Sequence, residues 1–378
     1  MTAISAVLQQ RFFDCMLEFD PSNRRYGLKK RQQQAKRAAA PLEQSGGSKL
    51  EIERQAAQLR QADQIARQQF VEFTQAKLHD QVADELFAKL NRFELVANNV
   101  FNLSQGFPQV LDTLAARAVT LSQLEKVIQP IEWLKEDLLK YVNQPNLRKN
   151  TTVGYIRELK PALGLVGIDT LQHIIPLMAL KRCLPHSTDP FTAFKSNFWQ
   201  YSVEIARAAQ RLALETGEHP FMAYCAALFQ SLGYFVVART YLHTYKQIKQ
   251  QALYDARDAR DQELTDALDS LDADASFLTS CLLEFAPFMS ADLMSNWKMR
   301  MLPLGGLMDQ LAEGNEFAGC SNLARLIHQS ACFVQCQWLY RAKQITDIEV
   351  RQWFNEQKLR PELLAILKNT DSSTIEIG

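Results

Sequence analysis

Glycine and proline are both scarce, 14 and 13 of 378 residues. Few positions therefore force a helix to break, and long helices are favoured over strands and tight turns. No alternating strand pattern, hairpin signal or internal repeat stands out. Net charge is zero, with 42 basic and 42 acidic residues, so no global field draws the chain to nucleic acid or a membrane surface. No run reaches the roughly 18 apolar residues of a membrane span, and no long apolar run follows basic residues at the start, as in a signal peptide. The seven cysteines are odd in number, sit mostly in apolar helical contexts and form no Cys-x-x-Cys pair. They are expected to be buried thiols in a reducing cytoplasm, Cys332 and Cys336 included. There is no Gly-x-Ser-x-Gly elbow, phosphate-cradling glycine loop or dinucleotide fingerprint.

What is present is apolar helix. Hydrophobic residues make up 47% of the chain and charged residues 22%, enough for a sizeable core. Residues 1–49 divide into an amphipathic helix and a linker. Ile4, Val7, Leu8, Phe12, Phe13 and Met16 fall at helical spacing. Seven basic residues between Arg24 and Arg37, with no acid among them, then read as a solvated linker rather than a nucleic-acid or lipid site. Residues 50–104 contain neither glycine nor proline and predict one long helix or two consecutive ones, a polar first part projecting or pairing with another subunit. Residues 105–345 read as helix after helix, broken at points that include Gly164–Gly167 and Pro287, and residues 346–378 as a helical tail.

Histidine is rare, six residues in all. His79-Asp80 looks like a metal-binding dipeptide but is expected to be an exposed polar pair. His173 and His328 lie on apolar helix faces, where packing is the simpler role. The acidic run at residues 254–275 has no glycine-bearing calcium loop and reads as a solvated face.

Several segments, in order, resemble the HDOD family, the degenerate HD-related output domain of bacterial signalling proteins. They are Phe107-Pro108-Gln109-Val110, Leu124–Pro130, Leu138–Asn143, Ala162–Leu171, Phe198-Trp199-Gln200-Tyr201-Ser202, Leu228–Gly233, and Ser290–Pro303 with Trp297. The resemblance covers about residues 100–320. It implies an all-α, compact HD-like multi-helix bundle, here with additional N-terminal helices, placed between sensor and effector modules and usually without catalysis.

The departures carry the functional expectation. Where HD enzymes read Leu-Leu-His-Asp-Ile-Gly, this chain reads Leu228-Phe229-Gln230-Ser231-Leu232-Gly233. Tyr201 stands at the position matching the family's first histidine. An amide, a hydroxyl and a phenol cannot replace imidazole and carboxylate around a divalent metal, so no catalytic residue, metal or cofactor is expected. If the family frame holds, Trp199, Tyr201, Gln230, Ser231 and Arg239 would line the old pocket, with Tyr201 and Gln230 hydrogen-bonded to each other as its plug. The expected function is non-catalytic regulation through protein contacts. The partners would be separate chains, such as a kinase, a response regulator or a cyclic-dinucleotide enzyme, and a homodimer is possible. Two alternatives stay open: a metal-dependent phosphohydrolase or phosphodiesterase with an atypical site, and nucleotide sensing through the old pocket.

Overall fold

The computed structural model describes residues 3–18, 51–92, 103, 105–145, 154–313 and 319–369. Among these there are fifteen helices and no strand. The linker at residues 22–48 lies outside the described residues. The helices are α1 (Ala3–Glu18), α2 (Glu51–Leu90), α3 (Phe107–Leu114), α4 (Leu121–Ile128), α5 (Glu132–Val142), α6 (Leu159–Val166), α7 (Ile168–Cys183), α8 (Phe194–Thr216) and α9 (Pro220–Asp258). They continue with α10 (Gln262–Ser270), α11 (Ala275–Asn296), α12 (Leu304–Glu313), α13 (Asn322–Arg341), α14 (Asp347–Glu356) and α15 (Pro361–Lys368).

Helix α9 is the axis of the body. From Phe221 to Val237 nearly every residue is buried, because α8 covers one side and α11 another. The α8–α9 corner is set locally. Gly217 takes a left-handed φ of 76°, which closes α8, and Pro220 opens α9 behind His219, whose ring Nδ1 accepts the Met222 N–H at 3.2 Å. Gly167 also takes a positive φ of 76°, and there α6 and α7 bend by 110°. Reciprocal caps fix α4 through Thr120 and Gln123, and α14 through Thr346 and Glu349.

Two expectations are corrected. Pro287 does not break a helix: it sits half-buried inside α11. Helix α9 runs on through Gly233. On α2, Val82, Leu86 and Leu90 are buried while Leu59, Ile65 and Phe73 stand exposed. Finally, α9 and α11 are long and apolar enough to cross a membrane by length and composition, but 83% and 56% of their apolar windows are buried in the body. A helix apolar all round is what a central core position requires as well.

All seven cysteines are buried, and none forms a disulfide. The acidic run is mostly exposed, yet two of its members are caps: Asp261 accepts the Leu264 N–H and Asp274 the Phe277 N–H. His79 is half-buried rather than exposed, its ring stacked on Phe277 at 4.9 Å. His173 is a satisfied packing residue, its ring nitrogens 2.7 Å from the Asp169 carbonyl and 3.0 Å from Gln210 Oε1.

Candidate functional site

Tyr201, Gln230 and Ser231, the positions that the resemblance sets against HD metal ligands, lie on α8 and α9, which pack with α11 and α13. At Gly233 α9 and α11 come into close contact. A Cβ there would overlap the Ala286 backbone carbonyl, so only glycine lets α9 and α11 touch. Ser290 of α11 uses that gap. Its hydroxyl accepts the Gly233 N–H and donates to the Gln230 carbonyl, both at 2.8 Å. The frame residue Gly233 is thus explained by packing.

Tyr201 is 2% exposed and Ser231 1%. The phenol oxygen of Tyr201 accepts a hydrogen bond of 2.8 Å from Gln335 Nε2 of α13. Its ring packs on Phe12 of α1, with centroids 4.8 Å apart. Burial pushes the phenol well above its ordinary pKa, with Tyr234 adding to the rise and the Gln335 hydrogen bond opposing it. The phenolate that a metal would need is therefore strongly disfavoured. Ser202 Oγ lies 2.6 Å from Ser231 Oγ and 2.5 Å from the Phe198 carbonyl. One hydroxyl carries one proton. Both contacts are satisfied when Ser231 donates to Ser202 and Ser202 donates onward to Phe198.

The five expected residues do not form one pocket. Tyr201 and Ser231 are in the core but bonded to different partners, and the plug pairs Tyr201 with Gln335, not Gln230. Gln230 is partly exposed. Trp199 is partly buried and lies about 200° round α8 from Tyr201. Arg239, eight residues beyond Ser231, stands roughly 12 Å further along α9. Two surface clefts lie elsewhere. One, of about 170 Å³ between α5 and α7, is bordered by Lys140, Lys181 and Arg182, and the other adjoins Asp112.

The missed residues are Phe12, Phe13, Ser202, Ser290 and Gln335. Phe13 packs on Phe198 and Tyr234 at 6.0 and 5.2 Å. Helix α1 is further tied down by Arg11 to Glu349 at 2.9 Å, Thr279 to Asp14 at 3.0 Å and Asn197 to the Met16 carbonyl at 3.1 Å. The one sequence signal for Gln335 was a polar residue in the apolar run Ala331–Trp338.

Among the described residues no group of three or more His, Cys, Asp or Glu could hold a metal ion. The donors at the frame positions do not fit one either: a phenol kept neutral, a hydroxyl committed to Ser202 and an uncharged amide. The arrangement defines an all-α HD-like fold whose metal position is filled by packed side chains. Residues 102–283 match the family model described as the HDOD domain, and the chain carries that domain. No curated protein matches the chain. Among solved structures it is similar to two provisionally named phosphohydrolases of Shewanella amazonensis, the second described as metal-dependent. The first is 18% identical over 75% of this chain and 92% of that one, with a TM-score of 0.46. The second is 13% identical over 78% and 95%, with a TM-score of 0.45. A provisionally named signal transduction protein of Marinobacter aquaeolei is 16% identical over 77% and 66%, with a TM-score of 0.44.

Proposed function

We propose that this chain is a non-catalytic regulatory protein that acts in signal transduction through protein–protein contacts. The observation that carries the reading is the state of the old metal position: Tyr201 and Ser231 are buried, neutral and hydrogen-bonded to other side chains. Hydrolysis of a phosphoester needs a metal or an activated nucleophile, and this position offers neither. A surface recognised by a separate kinase, response regulator or cyclic-dinucleotide enzyme is the function left to such a domain. Seven buried cysteines without a disulfide among them favour the cytoplasm as its compartment.

The test is metal content together with turnover. Tag-free protein is measured for iron, manganese, zinc and magnesium, then incubated with each ion and a panel of phosphomonoesters and phosphodiesters. Less than about a tenth of an equivalent of metal and no turnover above buffer are expected. One or two equivalents of a transition metal with hydrolysis would overturn the reading.

A further inference from the structure

Helix α2 spans 40 residues but is docked only at its C-terminal half. Thr74, Leu78, Val82, Leu86 and Leu90 are buried, while every residue from Ala57 to Gln69 is exposed. A solvated helix of that length is marginal alone in water. Leu59, Ala66 and Phe73 recur at intervals of seven, with Asp80 at the next such position, and Leu59 and Phe73 are 71% and 68% exposed. Ile65, 50% exposed, flanks this stripe, while Phe87 further along packs on Phe285 of the body. Val82, on the body side, is nine residues from Phe73 and so about 180° round the helix. The stripe therefore faces away from the body. A strict seven-residue repeat drifts by roughly 20° per heptad on a straight helix and is held in line by supercoiling against another helix.

We infer that this face pairs with α2 of a second copy of the chain, antiparallel. The stripe is complementary to itself. Three positions on from Leu59, Ala66 and Phe73 the chain carries Ala62, Gln69 and Ala76, small or polar and all exposed. In an antiparallel pair Leu59 faces Ala76 of the partner subunit, Ala66 faces Gln69 of the partner subunit, and Phe73 faces Ala62 of the partner subunit. Each large residue meets a small one. Asp80 sets the direction: a parallel pair would stack it on its own copy inside the seam, where like charges repel. The exposed arm carries charges of both signs, Arg60 and an Asp63–Arg67 pair at 3.4 Å, so two copies meet without a large net repulsion.

The test is sedimentation velocity of the full chain over micromolar concentrations, beside Leu59→Asp/Phe73→Asp. Both positions are solvent-facing within one chain, so the body of the variant should stay folded, with any loss of helix confined to the unpaired arm. A dimeric wild type and a monomeric variant are expected. A wild type that stays monomeric overturns the inference and leaves the face to a different protein. A dimer indifferent to the two substitutions overturns it too, since the contact then lies elsewhere. Orientation is read by mild oxidation of a mixture of L59C and A76C chains. Mixed disulfide dimers are expected, and rapid self-linking of L59C alone would refute the antiparallel register.

Discussion

Alanine at Gly233 brings two opposed effects together in one methyl group. In a helix interior, alanine is favoured over glycine by about 1 kcal/mol. Against that, the new Cβ would overlap the Ala286 carbonyl and come within 2.6 Å of Ser290 Oγ. Backbone does not yield as a flexible side chain does, and forcing such an overlap costs about 1–3 kcal/mol or more. Moving Ser290 also breaks its bonds to the Gly233 N–H and the Gln230 carbonyl, each worth about 1 kcal/mol net. The balance is a loss of about 2–4 kcal/mol. The control is Gly306→Ala on α12, where a Cβ meets nothing within 4 Å and φ is not left-handed. That change should be stabilising by about 0.5–1 kcal/mol. Urea unfolding followed by far-UV circular dichroism reads both, through midpoints at unchanged slope. Opposite shifts are expected. A Gly233→Ala midpoint equal to or above the wild type would refute the close α9–α11 contact, and with it this account of the old metal position.

Tyr201→Phe should cost about 1–3 kcal/mol, because Gln335 Nε2 is left buried without its acceptor; adding Gln335→Leu should recover part of the loss in the same unfolding assay. Phe12→Ala removes a fully buried ring and should weaken α1 docking by about 3–5 kcal/mol. Hydrogen exchange should then rise across residues 3–18 while α9 stays protected. Glu349 is held below the usual carboxylate range, first by the Thr346 backbone N–H and then by the Thr346 hydroxyl and Arg11. A depressed acid stabilises the fold above its unfolded pKa, near 4.5, and that contribution fades as pH falls through the folded value. Acidification below about pH 4.5 should therefore raise exchange at the start of α14 in the wild type, whereas Glu349→Gln should show little further change.

The all-helical class and the amphipathic first helix could be read from the chain, because scarce glycine and a 3.6-residue apolar period are local properties. Tyr201, Gln230 and Ser231 were singled out by the resemblance rather than by any local period. What those side chains bond to could not be read. Gln335 lies 134 residues from Tyr201 and Phe12 lies 189 before it, separations that no local pattern encodes. The split of α2 into two faces was hidden because both stripes share one helical period, and only burial tells them apart. Trp199 was placed in the old pocket by the family frame, although residues two apart on a helix point to nearly opposite sides.

Helix α1 has a consequence for how the protein is made. Every surface it rests on, from α8 to α14, is encoded later in the chain, and Ser5 meets Glu356 across 351 positions. During synthesis α1 emerges before α8, α11, α13 and α14, so its seat is complete only once α14 has followed. Until then its apolar face, with Leu8, Phe12, Phe13 and Met16, is incompletely covered. A holdase that shields amphipathic helices would have α1 as a target on the growing chain.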